Sequence, residues 1–169
     1  QDLSGEPEDV ELPSIEMLYL QGAYPAENMR TALRALEILG YPADEETMDA
    51  IAHTAARMDF HGRWELLRHC PDVICDIGHN PPALERNFAQ LKEYLANGRY
   101  RKLIMVYGIM KDKDLSSILP MMPREAEYML VSPGTARSMT SEELYRRCLE
   151  GLPAEHIHEC GSVADGLSA

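Results

Sequence analysis

From Trp64 onward, short apolar runs alternate with longer stretches whose apolar residues recur at helical spacing. That alternation constrains the fold more than any other property of the chain. Residues 64–67 and 73–75 read as two short strands around a polar turn at 69–72, a hairpin pattern. Residues 82–95 predict a helix with Leu84, Phe88, Leu91 and Leu95 on one face, ended by Asn97 and Gly98. A strongly apolar strand follows at 102–107, a short helix at 114–121 and a further strand at 126–131. Thr140 caps the next helix, with Glu143 as its capping-box partner, and that helix ends near Gly151. A brief strand at 156–159 and a last helix from Ser162 complete the order β, β, α, β, α, β, α, β, α. Strands separated by helices long enough for right-handed crossovers predict an α/β fold with three layers around a mostly parallel sheet.

Within this pattern, VICDIGHNPP at 73–82 is a strand, a polar tip and a helix start. Open α/β sheets place binding groups beyond the carboxyl ends of their strands, so Asp76, His79 and Asn80 are expected near the functional site. Pro81 forces an extended backbone on Asn80, which fixes the geometry of the tip.

Residues 1–60 lack this rhythm. Residues 1–13 are acidic and rich in Pro and Gly, and 14–20 have moderate strand character before a break at 22–25. A helix is predicted over 26–39, with Met29, Ala32, Leu33, Leu36 and Leu39 as its stripe and Gly40 as its stop. Asp44 caps a second helix that runs to about Met58. The domain boundary therefore falls near residues 59–62. It separates a tail or helical extension, 1–60, from an α/β domain, 61–169.

The charge balance is 16 basic residues against 28 acidic, a formal −12, which disfavours a broad nucleic-acid surface. A small anion site built from one arginine and helix-end amides remains compatible with it. No apolar run is long enough to span a membrane, and no secretory n- and h-region is present. The chain starts at Gln1, so its true start is expected to have been removed or to lie upstream. Cysteines at 70, 75, 148 and 160 form no close pair, which reads as a reduced, cytoplasmic chain. Neither GxxxxGK[ST] nor GxGxxG occurs.

Each candidate residue carries a functional and a plainer reading. Asp76 at a strand end suits a ribose hydroxyl or an imidazole, and equally a cap or turn. His79 can stack or hydrogen-bond, or be an ordinary loop histidine. Arg63, in the link between the two regions, offers a rigid fork for phosphate or carboxylate, or a surface ion pair. Tyr24 and Asn28 straddle the start of the first helix, where an amide can meet a base or cap a turn. The run Lys111, Asp112, Lys113, Asp114 and the later Arg137 follow apolar strands. They share an edge with Asp76 if all those strands are parallel. His156 and His158 are expected on one strand face, and two histidines do not make a zinc site.

These residues carry a resemblance. GRWELL (62–67), DIGHNPPAL (76–84), VYGIMKDKD (106–114) and SPGTAR (132–137) resemble the C-terminal domain of the folylpolyglutamate synthases and bifunctional dihydrofolate synthases, in the Mur ligase superfamily. The family motif is close to D-x-A-H-N-P; here Gly78 stands for the alanine. Arg63 lies 13 residues before Asp76, near the usual spacing. LQGAYPAENMRTAL resembles the end of the family's central domain, with Gly22, Tyr24, Asn28 and Ala32 in place and Pro25 where Gln or Asn is usual.

The resemblance implies a Rossmann-like C-terminal α/β domain that lacks its last strand, preceded by the end of a central ATP-binding domain. It implies an ATP- and Mg²⁺-dependent ligase of folate biosynthesis, monomeric at full length, that adds L-glutamate to dihydropteroate, tetrahydrofolate or both. The phosphate loop and the magnesium ligands belong to earlier regions, so this stretch alone is expected to be inactive. By the same resemblance, Asn28 contacts adenine, Arg63 the phosphates and Asp76 the ribose. His79 lies at the nucleotide and glutamate side, and Asn80 and Arg137 on the substrate side. Arg63 and His79 are the catalytic candidates. The partners are ATP, glutamate, a pteroate or folate, and the rest of the central domain, with no nucleic acid and no membrane. The alternatives are another Mur-type amide ligase and a non-catalytic α/β binding module of flavodoxin-like or receiver type. A receiver needs paired acids at its first strand end, and VICDIG has one.

Overall fold

The computed structural model describes residues 25–169, so the expected strand at 14–20, with Gly22 and Tyr24, lies outside the described residues. The chain separates into two compact units at the Gly78–His79 step.

In the first unit, helix α1 (Pro25–Ile38) ends at Gly40, whose φ of 85° supplies the left-handed turn expected of a helix stop. The α1 stripe is narrower than its sequence pattern. Met29 and Leu33 are buried, whereas Ala32 is exposed and Leu39, one residue past the helix, is 71% exposed. Helix α2 (Glu45–Ala52) starts at Asp44, whose carboxylate accepts from the Thr47 N–H at 2.9 Å. The predicted single helix to Met58 is broken at His53, where the backbone leaves helical geometry, and resumes as α3 (Thr54–Arg57). Met29, Leu33 and Ala52 form the buried cluster, flanked by Met48 and Ile51.

Strands β1 (Glu65–Arg68) and β2 (Val73–Cys75) pair antiparallel, with Leu66 opposite Ile74. The link between them is too short for the crossover that parallel pairing needs, so a hairpin is the available solution. These two strands form a sheet of their own. β2 therefore has no hydrogen-bonded place in the sheet of the later strands, and the condition for Asp76 to share their edge is not met within one sheet.

The second unit holds a parallel sheet of β3 (Ile104–Tyr107), β4 (Glu127–Ser132) and β5 (Ile157–Ser162), in that order. Its helices are α4 (Pro81–Ala96), α5 (Leu115–Ile118), α6 (Ser141–Cys148) and α7 (Val163–Ser168). Thr140 caps α6 by accepting from the Glu143 N–H, and Ser162 and Asp165 form a reciprocal capping box on α7.

Because side chains alternate along a strand, Tyr128 and Leu130 of β4 face one side and Met129 the other. The first side carries the main core, with Leu84 and Phe88 of α4, Leu115 and Ile118 of α5, and Leu144 and Cys148 of α6. Burial keeps the Tyr107 and Tyr128 hydroxyls un-ionised, and the Tyr128 hydroxyl donates to the Pro123 carbonyl at 2.8 Å. Burial also pushes the Cys148 thiol up to about 12. On the other side α7 rests on the sheet through Gly166, where a Cβ would come within 2.6 Å of Val131 Cγ1 and 3.2 Å of Val106 Cγ1. Strand β3, read from sequence as strongly apolar, turns Ile104 outward with 54% exposure. The result is a three-layer α/β unit around a parallel sheet.

His156 and His158 do not share a strand face. His156 closes a 3₁₀ turn before β5, with its ring 2.8 Å from the Arg124 carbonyl, and His158 in β5 lies 2.9 Å from Glu127.

Candidate functional site

Arg63 sits in a turn between α3 and β1 that left-handed residues shape on both sides. Gly62 has φ 74° and Trp64 φ 51°. Gly62 is required here, since a Cβ would stand 2.7 Å from Ile77 Cγ2 at a φ that side chains rarely adopt. The turn is tied to the end of β2 at two points. The Ile77 N–H donates to the Gly62 carbonyl at 2.8 Å, and the Trp64 N–H donates to Asp76 Oδ2 at 2.9 Å. Asp76 Oδ1 also accepts from the Gly78 N–H at 2.7 Å. The structure thus brings Asp76 to the backbone beside Arg63, although the two are distant in sequence. Both oxygens of Asp76 accept from backbone amides, Oδ2 from the turn and Oδ1 from Gly78. The Arg63 guanidinium is exposed and lies 5.9 Å from the Phe60 ring centroid.

Two carboxylates flank His61 in the same turn. Its Nδ1 is 2.7 Å from Glu65 Oε1 and its Nε2 is 2.9 Å from Asp59 Oδ1. Glu65 Oε2 accepts from the Gly62 N–H at 2.8 Å. Hydrogen bonds to Glu65 and then to Asp59 hold His61 above the usual imidazole range. The Gly62 N–H, followed by His61, holds Glu65 below the usual carboxylate range. Sequence reasoning gave His61 no role; the signal available to it was the pair of acids at 59 and 65 around a histidine beside Gly62.

Asn28 is exposed on the first turns of α1. In the second unit, His79 is exposed and Asn80 caps α4 in the extended conformation that Pro81 dictates. Asn80 Oδ1 accepts from the Ala83 N–H at 2.9 Å. The loops after β3 and β4 are joined to each other. The Lys111 N–H donates to the Arg137 carbonyl at 2.9 Å, Met110 bridges Ser138, and Arg137 Nη2 donates to Asp112 Oδ1 at 3.0 Å. Arg137 holds Asp112 below the usual carboxylate range. Asp114 caps α5 by accepting from the Ser116 N–H, as its position suggested. Asp112, read from sequence as part of a charged run, is the residue that anchors Arg137. The shared edge predicted for these two loops is therefore present.

A family profile described as "Mur ligase, glutamate ligase domain" matches residues 62–169, from the turn that carries Arg63 to the last residue. The chain belongs to this Mur ligase family.

Its relatives sharpen the placement. Dihydrofolate synthase/folylpolyglutamate synthase of Escherichia coli is 27% identical over 164 residues, which cover 96% of this chain and 35% of that protein. Mycobacterium tuberculosis folylpolyglutamate synthase complexed with ADP has a TM-score of 0.73 at 27% identity, over 89% of this chain and 33% of that one. UDP-N-acetylmuramoyl-L-alanyl-D-glutamate–2,6-diaminopimelate ligase of Chromobacterium violaceum is 29% identical over 145 residues, covering 82% of this chain and 28% of that protein. The chain thus spans about a third of the length of the curated relatives it matches. Among the described residues, no helix is long and apolar enough to cross a membrane.

Proposed function

We propose that the chain is part of an ATP-dependent ligase that joins L-glutamate to dihydropteroate, tetrahydrofolate or both. The observation that carries this reading is the similarity to a dihydrofolate synthase/folylpolyglutamate synthase along 96% of the chain. In this reading residues 61–169 are the C-terminal domain and the residues before them end the central ATP-binding domain. The substrate carboxylate attacks the γ-phosphorus of ATP, ADP leaves, and an acyl phosphate forms. The glutamate amine then attacks the acyl carbon, the amide forms with loss of a proton, and phosphate departs. Magnesium, held by ligands outside this stretch, screens the phosphate charge during transfer.

The chain's own residues bind and orient. Arg63 offers a planar fork of donors to the phosphates, on a turn stiffened by two left-handed residues. Asp76, oriented by the Trp64 and Gly78 amides, accepts from the ribose. Asn28 meets the adenine. His79 lies at the nucleotide and glutamate side, with Asn80 and Arg137 toward the substrate.

The test is ATP-dependent incorporation of labelled glutamate by the polypeptide extended to the length of its relatives, with dihydropteroate and tetrahydrofolate offered separately. Product with either supports the reading and names the acceptor. No product with either, from a folded protein that binds ATP, transfers the assignment to another amide ligase of the family. The similarity to the diaminopimelate ligase favours that second reading. Arg63→Ala is expected to lower turnover strongly in the same assay.

A further inference from the structure

The acids around His61 do more than decorate a turn. Both ring nitrogens lie within hydrogen-bond distance of a carboxylate oxygen, Nδ1 at 2.7 Å from Glu65 and Nε2 at 2.9 Å from Asp59. A neutral imidazole carries one N–H, so it satisfies one acid and turns a lone pair toward the other. The imidazolium donates to both. The arrangement therefore requires the protonated ring.

One of these acids, together with Asp76, holds the backbone around Arg63. Glu65 accepts from the Gly62 N–H, the residue before the arginine. Asp76 accepts from the Trp64 N–H, the residue after it. Asp59, Gly62 and Trp64 all have left-handed φ values, which non-glycine residues keep only when their surroundings fix them. The charged groups that face the ring are Asp59, from the segment after α3, and Glu65, from β1. Arg63 is directed to the Phe60 ring instead.

We propose that His61, bridging Asp59 and Glu65, is a protonation-dependent positioning residue that fixes the Gly62–Arg63–Trp64 turn and so presents Arg63 to an anionic ligand. The consequence for nucleotide rests on the ligase reading above; the latch itself does not. Because His61 is raised in the folded chain, its contribution is complete below the ordinary imidazole value of 6.5 and is lost as the pH climbs through the raised value. Glu65 is lowered, so its contribution is complete above 4.5 and is lost on acidification through its lowered value. The latch is closed between those limits.

The first experiment is a pH titration of the 169-residue chain by NMR, following the His61 ring and the amides of Gly62, Arg63 and Trp64. The ring is expected to titrate above free imidazole, and the three amides to shift with the same midpoint. Asp59→Asn, at a side chain 95% exposed, is expected to lower that midpoint without unfolding the chain. A ring that titrates at or below free imidazole, or amides that ignore it, overturns the latch.

The second experiment measures the KM for ATP and kcat against pH in the enzyme at the length of its relatives. Above the ring's midpoint the KM is expected to rise about two- to fivefold, the scale of an exposed charge pair. His61→Lys keeps a cation between the acids and is expected to hold the KM flat from pH 6 to about 8.5, below the ordinary lysine range. A purely structural histidine would leave the pH profile of both proteins alike, which overturns the proposal. If Arg63→Ala leaves the KM for ATP unchanged while the NMR latch titrates as described, the nucleotide reading falls and the latch stands.

Discussion

The two units are held together by different means. The unit from His79 onward packs Phe88, Leu115, Ile118, Leu130 and Leu144 into one continuous core with almost no exposed area. The unit before it has a buried cluster of Met29, Leu33 and Ala52, and it leaves Met58, Leu67 and Ile77 more than half exposed. Its turn around Arg63 is fixed by carboxylates that bond to backbone amides, at Gly62, Trp64 and Gly78. In the second unit the loops after β3 and β4 stand beside that core and are joined by the Lys111–Arg137 backbone bond and the Asp112–Arg137 pair. A site built in the first way responds to protons and ions, while one built in the second way responds to changes in volume.

That contrast can be broken by mutation. The largest effect is expected from Leu144→Ala, which empties a fully buried position and is expected to cost about 2–5 kcal/mol in chemical denaturation. Leu33→Ala, in the smaller cluster, is expected to leave the transition of the second unit in place. A single shared transition that shifts equally in both variants would erase the distinction. Next comes Gly166→Ala, which drives a methyl against Val131 on the thinner side of the sheet and is expected to cost about 1–3 kcal/mol. An unchanged melting temperature would show that α7 moves away freely. The smallest effect is chemical. Cys70, exposed in the first unit, is expected to react with a thiol reagent at pH 8 in the folded chain. Cys148, buried and held protonated, is expected to react after unfolding. Mass spectrometry of the labelled peptides checks the order.

Much of the second unit was legible in the sequence, because its elements obey local rules. Gly98, Thr140, Ser162 and Asp114 punctuate helices in the ways their chemistry dictates, and the apolar periods between them survive folding. Strand β3 was harder. Its run is strongly apolar, yet Ile104 stands 54% exposed. The candidate site was legible as positions, with less warning of what binds them to each other. The proline after Asn80 announced an extended cap. Nothing local announced that Asp76 would reach back to the Trp64 amide, or that Asp112 would hold Arg137, because such pairs depend on how strands and loops meet in space. The break in the helix at His53 was equally silent, since its neighbours all tolerate a helix.

The Asp112–Arg137 pair has a last consequence. Asp112 holds the guanidinium at the loops that follow β3 and β4, so any anion offered to Arg137 meets a competitor there. Any such anion must win the arginine from a carboxylate already in position, so weak acceptors fail and strongly charged ones succeed. The exchange does not strand the aspartate, because Lys113 Nζ waits 3.5 Å from its other oxygen.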